Sequence, residues 1–195
     1  MIKNIIFDIG NVILKFNHDY LLSHFYQGEH YELLKEKVFF EWELLDEGKI
    51  SLSEHIEKVL KTLPKNLHGP AKSLLENWDY YMHKIDSVYE FIFELKQKGY
   101  KLYVLSNMPM HFIERINKYP IFAEFDGLVF SAPINLVKPN PKIYEFLLNK
   151  YSLVPEETLF IDDTKKNLDG ASRFNIKTFL FSNNVNELKN YILTL

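Results

Sequence analysis

Five short stretches of the chain, 3–7, 101–105, 127–130, 158–161 and 177–181, are apolar without alternation. Runs of this length with no polar face read as strands covered on both sides, as in a parallel sheet between layers of helices. Between the last four lie segments of helical period with punctuation at their ends. Ser87 with Glu90 three residues on predicts a capping box ahead of Val88, Phe91, Ile92 and Leu95, and Gly99 a stop. Asn140 followed by Pro141 predicts an N-cap and a first-turn proline ahead of Ile143, Tyr144, Phe146 and Leu147. Strands alternating with helices predict an open α/β fold.

From about residue 16 to residue 85 the alternation stops. The segment has no strand pattern but carries helical periodicity around 20–25, 31–45, 52–60 and 71–82, broken by Gly48, the turn at 64–66 and Gly69-Pro70. The expected organisation is an α/β core of residues 1–15 and 86–195 with an all-helical insertion of residues 16–85. The aromatics of the insertion (Phe39, Phe40, Trp42, Trp78, Tyr80 and Tyr81) are spaced for contacts between helices.

With 47% hydrophobic and 15% aromatic residues, the chain has the material for a packed core and is no solvating tail. Lysine and arginine total 23 against 26 acidic residues, a net charge of −3, so no basic field points to nucleic acid. The absence of cysteine excludes disulfides, thiolate metal sites and thiol nucleophiles. The first apolar run meets Asp8 too early for a signal peptide, and no stretch has the length of a membrane span. A cytoplasmic protein is expected.

In open parallel sheets ligands bind outside the carboxyl ends of the strands. Here those ends carry Asp8, then Ser106-Asn107, then a loop leading to Lys138, then Asp162-Asp163. Each has an ordinary explanation as a cap, a turn former or a solvated cation. Adjacent carboxylates at the end of an apolar strand repel unless a cation neutralises them. Two acidic sites, a hydroxyl and a cation at successive strand ends form a coherent set.

The segments Asp8-Ile9-Gly10-Asn11-Val12, Leu105-Ser106-Asn107, Val137-Lys138-Pro139-Asn140-Pro141 and Phe160-Ile161-Asp162-Asp163, with Asn167 beyond, resemble the four ordered motifs of the haloacid dehalogenase superfamily. The likeness spans the core and is nearest to helical-cap bacterial phosphatases of the sugar-1-phosphate phosphatase type. It implies a Rossmann-like sheet sandwiched by helices, with residues 16–85 as the cap. It also implies a Mg2+-dependent hydrolase of a small phosphorylated metabolite that works through an aspartyl phosphate. Asp8 would be the nucleophile. Asp8, Asp163 and the Gly10 carbonyl would hold Mg2+, with Asp162 as a further ligand or a partner behind them. Ser106, backbone N–H groups near Asn107 and Lys138 would hold the phosphoryl group, at the start of the next helix where free donors favour an anion. Asn167 would orient the acidic pair or Lys138.

One position departs from the pattern. The family's phosphatases carry a second Asp two residues after the nucleophile to protonate the leaving group, and here that residue is Gly10. General acid–base help is worth roughly 100-fold to 10,000-fold. A good leaving group, a water, or a side chain from the insertion could compensate: His18, Asp19 and His24 near its start, or Asp46 and Glu47 before Gly48. Three other readings use the same residues: a non-catalytic phosphate- and metal-binding homologue, a 2-haloacid dehalogenase, and a transferase that passes the phosphoryl group to a second substrate. The second lacks an arginine in the insertion, since Arg115 and Arg173 both lie in the expected core.

Overall fold

A computed structural model describes all 195 residues. The first half of the chain runs β1 (Asn4–Phe7), β2 (Leu14–Lys15), α1 (His18–Ser23), α2 (Tyr31–Phe39), α3 (Trp42–Asp46), α4 (Leu52–Thr62), α5 (His68–Asn77), β3 (His83–Lys84) and α6 (Asp86–Gln97). The second half runs β4 (Lys101–Ser106), α7 (Met110–Ile113), β5 (Gly127–Phe130), α8 (Pro141–Tyr151), β6 (Thr158–Asp162), α9 (Lys165–Ser172), β7 (Lys177–Leu180) and α10 (Val185–Leu193).

The five expected strands form one parallel sheet in the order β5-β4-β1-β6-β7, with Phe7 in register with Val104 on one side and Ile161 on the other. Successive residues of β1 serve opposite layers. Ile5 and Phe7 belong to a cluster with α6, α10 and much of the helical segment, while Ile6 packs with α8 and α9. The former cluster runs without interruption from the sheet into the helical segment, so the two share apolar packing. Full cover does not extend to β7: at the sheet edge Lys177 and Leu180 are exposed.

Several local expectations are corrected by tertiary contacts. Helix α6 is capped by Ile85 and has no side-chain cap, with Ser87 inside its first turn. The Ile85 N–H donates to Ile13 O at 3.0 Å, extending an antiparallel ribbon of β2 and β3, so pairing at 13–15 sets the helix start. That ribbon is strand structure where none was expected; it spans the points at which the helical segment leaves and rejoins the sheet. A capping box does form at Ser51 and Glu54, opening α4. The expected helix at 31–45 is divided where Glu41 takes φ +55°. Gly69-Pro70 falls in the first turn of α5, where a missing N–H is tolerated. Asn140 accepts from Lys142 N–H as its helix cap, and Gly99 at φ +86° follows the end of α6. Phe40 and Tyr80 do not pack as expected but are 63% and 59% exposed. No helix is long and apolar enough to cross a membrane.

Candidate active site

Strand β1 has β4 and β5 on one side and β6 and β7 on the other, so the sheet order reverses around it and leaves a crevice at the strand ends. Asp8 leaves β1 there, its N–H donating to Ile161 O at 2.9 Å. Ser106 ends β4 and Asp162 ends β6, both buried. Asn11, at φ +53°, turns the chain after Asp8 and donates from Nδ2 to Asp163 Oδ2 at 3.1 Å. Asparagine tolerates this left-handed backbone better than most residues.

Lys138 is no solvated loop cation. It is 4% exposed, with Nζ 2.8 Å from Asp8 Oδ1 and 2.6 Å from Asp162 Oδ2. Burial opposes its charge, but the two carboxylates more than compensate and hold its pKa above the ordinary lysine value. Asn107, expected to bind substrate, lines the cavity, and its side chain also grips the lysine's backbone: Lys138 N–H donates to Oδ1 at 2.7 Å, and Nδ2 donates to Lys138 O at 3.1 Å. The expected helix start beside Asn107 is also displaced. Helix α7 begins at Met110 and has four residues, too short to supply a strong dipole at Ser106.

Asp162 is saturated. Besides Lys138 it accepts from Thr164 N–H at 2.8 Å and from Asn167 Nδ2 at 3.1 Å on each oxygen. Its pKa is pushed up to about 6, chiefly by burial, with Lys138 opposing and Asp8 adding to the rise. Carboxylate oxygens of Asp8, Asp162 and Asp163 lie within 4.8 Å of one another. Such a set of hard oxygen donors suits Mg2+. Each oxygen of Asp162 accepts two hydrogen bonds and each oxygen of Asp163 only one, from Asn11 or Thr164, so Asp8 and Asp163 are the pair with more capacity for the ion, and Asp162 and Asn167 brace Lys138 from behind.

These groups open into a cavity of about 260 Å³ walled from the core by Asp8, Ser106, Lys138 and Asp163. The opposite wall is Phe16, Trp42, Trp78 and Asp46. The indole rings of Trp42 and Trp78 meet edge to face at 5.4 Å, with Phe16 5.5 Å from Trp78. Gly10 also lines the cavity, and a Cβ there would meet nothing nearer than Asp8 Oδ2 at 3.9 Å.

A model of the haloacid dehalogenase-like hydrolases matches residues 2–175. The chain belongs to this family. Among its relatives, the D-ribitol-5-phosphate phosphatase of Bacteroides thetaiotaomicron is 27% identical over 192 residues, 92% of this chain and 91% of that one. The pyrophosphatase PpaX of Bacillus mycoides is 26% identical over 190 residues, 93% of this chain and 84% of the other. A haloacid dehalogenase family enzyme of Bacteroides thetaiotaomicron, solved with magnesium and inorganic phosphate, superposes with a TM-score of 0.74 at 21% identity, covering 92% of this chain and 93% of that one. The L-2-haloacid dehalogenase of Xanthobacter autotrophicus shares the haloacid dehalogenase fold at a TM-score of 0.65 and 16% identity, over 91% and 76% of the two chains.

Several residues of the site escape sequence reasoning. Trp42 and Trp78 read as packing, and they do pack, yet one side of each faces the cavity. Ser131 carries no motif signal, although its buried Oγ accepts from Met108 N–H at 2.8 Å and donates to Asp46 O. Asn11 had a visible signal, a strand end followed by Gly-Asn, which favours a positive-φ turn.

Proposed function

We infer that this hydrolase cleaves phosphate monoesters of a small metabolite in the presence of Mg2+, with Asp8 as nucleophile. The observation that carries the reading is the buried Asp8 carboxylate, held 2.8 Å from Lys138 Nζ and opening into a cavity beside a second carboxylate, Asp163. A phosphate dianion approaching Asp8 is repelled unless cations offset the charge. Lys138 supplies one positive charge, and Mg2+ on Asp8, Asp163 and the Gly10 carbonyl would supply the rest.

An oxygen of Asp8 attacks phosphorus while Ser106 and Lys138 hold the equatorial oxygens. The ester bond breaks and an aspartyl phosphate remains on Asp8. Water then attacks phosphorus and frees both carboxylate and inorganic phosphate, so one difficult displacement becomes two easier ones. Residues 16–85 serve as the cap that closes the cavity. The relatives that act on ribitol phosphate and pyrophosphate, and the one solved with magnesium and phosphate, support this reading, and a phosphorylated sugar or polyol is the substrate class it favours. Arg115 faces Asp79 and Arg173 is exposed, so neither arginine lines the cavity for the dehalogenase alternative.

The experiment is phosphate release from p-nitrophenyl phosphate, acetyl phosphate and a panel of sugar and polyol phosphates, with Mg2+ and with chelator. Mg2+-dependent release is expected, falling at least about 10,000-fold in Asp8→Asn without loss of folding. Equal turnover by Asp8→Asn overturns the nucleophile. Phosphate binding without turnover of any compound replaces the enzyme with a binding protein.

A further inference from the structure

Gly10 leaves the reaction without a proton donor two residues after the nucleophile, so the donor has to come from the remaining wall. Three carboxyls line the cavity: Asp8, Asp163 and Asp46. The first two are taken as nucleophile and cation ligand. No histidine lines it, and Lys138 is paired to two carboxylates. The other donors considered from the sequence lie elsewhere: His18 stacks on Phe39 at 3.7 Å, Asp19 pairs with Lys35, His24 bonds Tyr20 O, and Glu47 pairs with Lys49. None of these four lines the cavity.

Asp46 is also held in place by the core. It ends α3, and its backbone carbonyl accepts the hydrogen bond of Ser131 Oγ, the same hydroxyl that takes Met108 N–H from the loop after Ser106. The next carbonyl, of Glu47, accepts from Asn135 Nδ2 at 2.9 Å. Gly48 then takes φ +69° against Ala132, where a Cβ would stand 2.4 Å from the carbonyl oxygen. Three successive residues thus dock the end of α3 onto the core loop at 131–135, beside the loop that carries Ser106. Such fixation is what a proton-transfer group needs.

We propose that Asp46 is the general acid and base of this enzyme, supplied by the helical segment in place of the side chain missing at Gly10. The inference rests on the phosphatase reading above. As Asp8 attacks phosphorus, the carboxylic proton of Asp46 passes to the ester oxygen while the P–O bond breaks, and a neutral alcohol leaves. The Asp46 carboxylate then takes a proton from the water that attacks the aspartyl phosphate. The second P–O bond breaks, phosphate and the Asp8 carboxylate are released, and Asp46 is protonated again. The surroundings suit this cycle. Burial, then the charges of Asp8 and Glu43, raise the Asp46 pKa to about 7, against the charge of Lys138.

The test compares leaving groups on the full chain with Mg2+. An alkyl phosphate needs a proton on its departing oxygen, and acetyl phosphate, which expels acetate, does not. In Asp46→Asn, kcat/KM for the alkyl phosphate should fall by about 100-fold or more, and by at least about tenfold more than for acetyl phosphate. Acetyl phosphate should also show a burst of trapped phosphoenzyme, because the second step has lost its base. Adding Gly10→Asp to Asp46→Asn should return alkyl phosphate turnover by at least about tenfold. Melting temperatures separate loss of a proton from loss of fold, and Asp46→Ser provides the same comparison should Asp46→Asn fail to fold. Equal losses on both substrates without a burst overturn the proposal and make Asp46 a packing residue. Wild-type protein inactive on both overturns the phosphatase reading itself.

Discussion

In the α/β layers, Asp8, Ser106 and Asp162 leave the ends of strands whose register is locked by backbone hydrogen bonds, so they emerge side by side from β1, β4 and β6. The helical segment has no such ladder to the sheet. It is fastened by shared apolar packing, by the β2–β3 ribbon and by a few polar ties. Buried Asp79 takes Arg115 and Lys118 at 2.8 and 3.1 Å, the Trp78 indole N–H donates to His111, and the end of α3 bonds Ser131 and Asn135. One half of the cavity is thus set by main-chain geometry and the other by side-chain contacts. Main-chain ladders tolerate most substitutions, whereas a wall positioned by individual side chains depends on each of them.

The largest stability effect is expected inside the core. Lys138→Met leaves the buried carboxylates of Asp162 and Asp8 facing each other without their cation, and removing one partner of a buried pair costs about 3 to 5 kcal/mol. A fall of that size in the unfolding free energy from urea denaturation, partly recovered by adding Asp162→Asn, is the expected result. A loss within 1 kcal/mol, on the order of an exposed pair, would show that the core half is no more firmly held by its charges than the surface.

The second effect belongs to the seam. Burial, opposed by Asp79 and reinforced by Arg115, lowers the His111 pKa from 6.5 to about 4. The unfolded chain binds this proton as pH drops through about 6.5 and the folded one only near 4, so the contribution is complete above 6.5 and is lost as pH falls toward 4. It amounts to about 3 kcal/mol at most. The raised carboxyls Asp46 and Asp162 act in the opposite sense, so the readout is the difference between wild type and His111→Gln in thermal stability at pH 7 and pH 4.5. Parallel pH dependence in the two proteins would remove His111 from the account of the seam.

The smallest effect tests the α3 docking. Gly48→Ala puts a Cβ 2.4 Å from Ala132 O at a left-handed backbone position, a strain of about 1 to 3 kcal/mol. Chemical denaturation should register it, and a neutral substitution would show that the docked turn is loose.

The same contrast explains what could be read in advance. The five strands of the sheet, the caps at Asn140 and Gly99 and the convergence of Asp8, Ser106, Lys138 and Asp162-Asp163 follow from local pattern combined with the topology of a parallel sheet. The start of α6 did not, because pairing of Ile85 with Ile13 overrides the capping signal at Ser87. Asn107 lines the cavity beside Ser106, but that its side chain grips the backbone of Lys138, 31 positions away, was not legible in the sequence.

The sequence by itself determined which residues meet at the strand ends, since period-2 and period-3.6 patterns and turn residues are encoded over a few neighbours. Only the tertiary structure decided that Asp162 braces Lys138, that Trp42 and Trp78 wall the cavity and that Asp46 faces the nucleophile's pocket. Those facts depend on how two separately patterned regions pack against each other, and the packing rests on contacts such as Ser131 to Asp46, 85 positions apart, which no local pattern records.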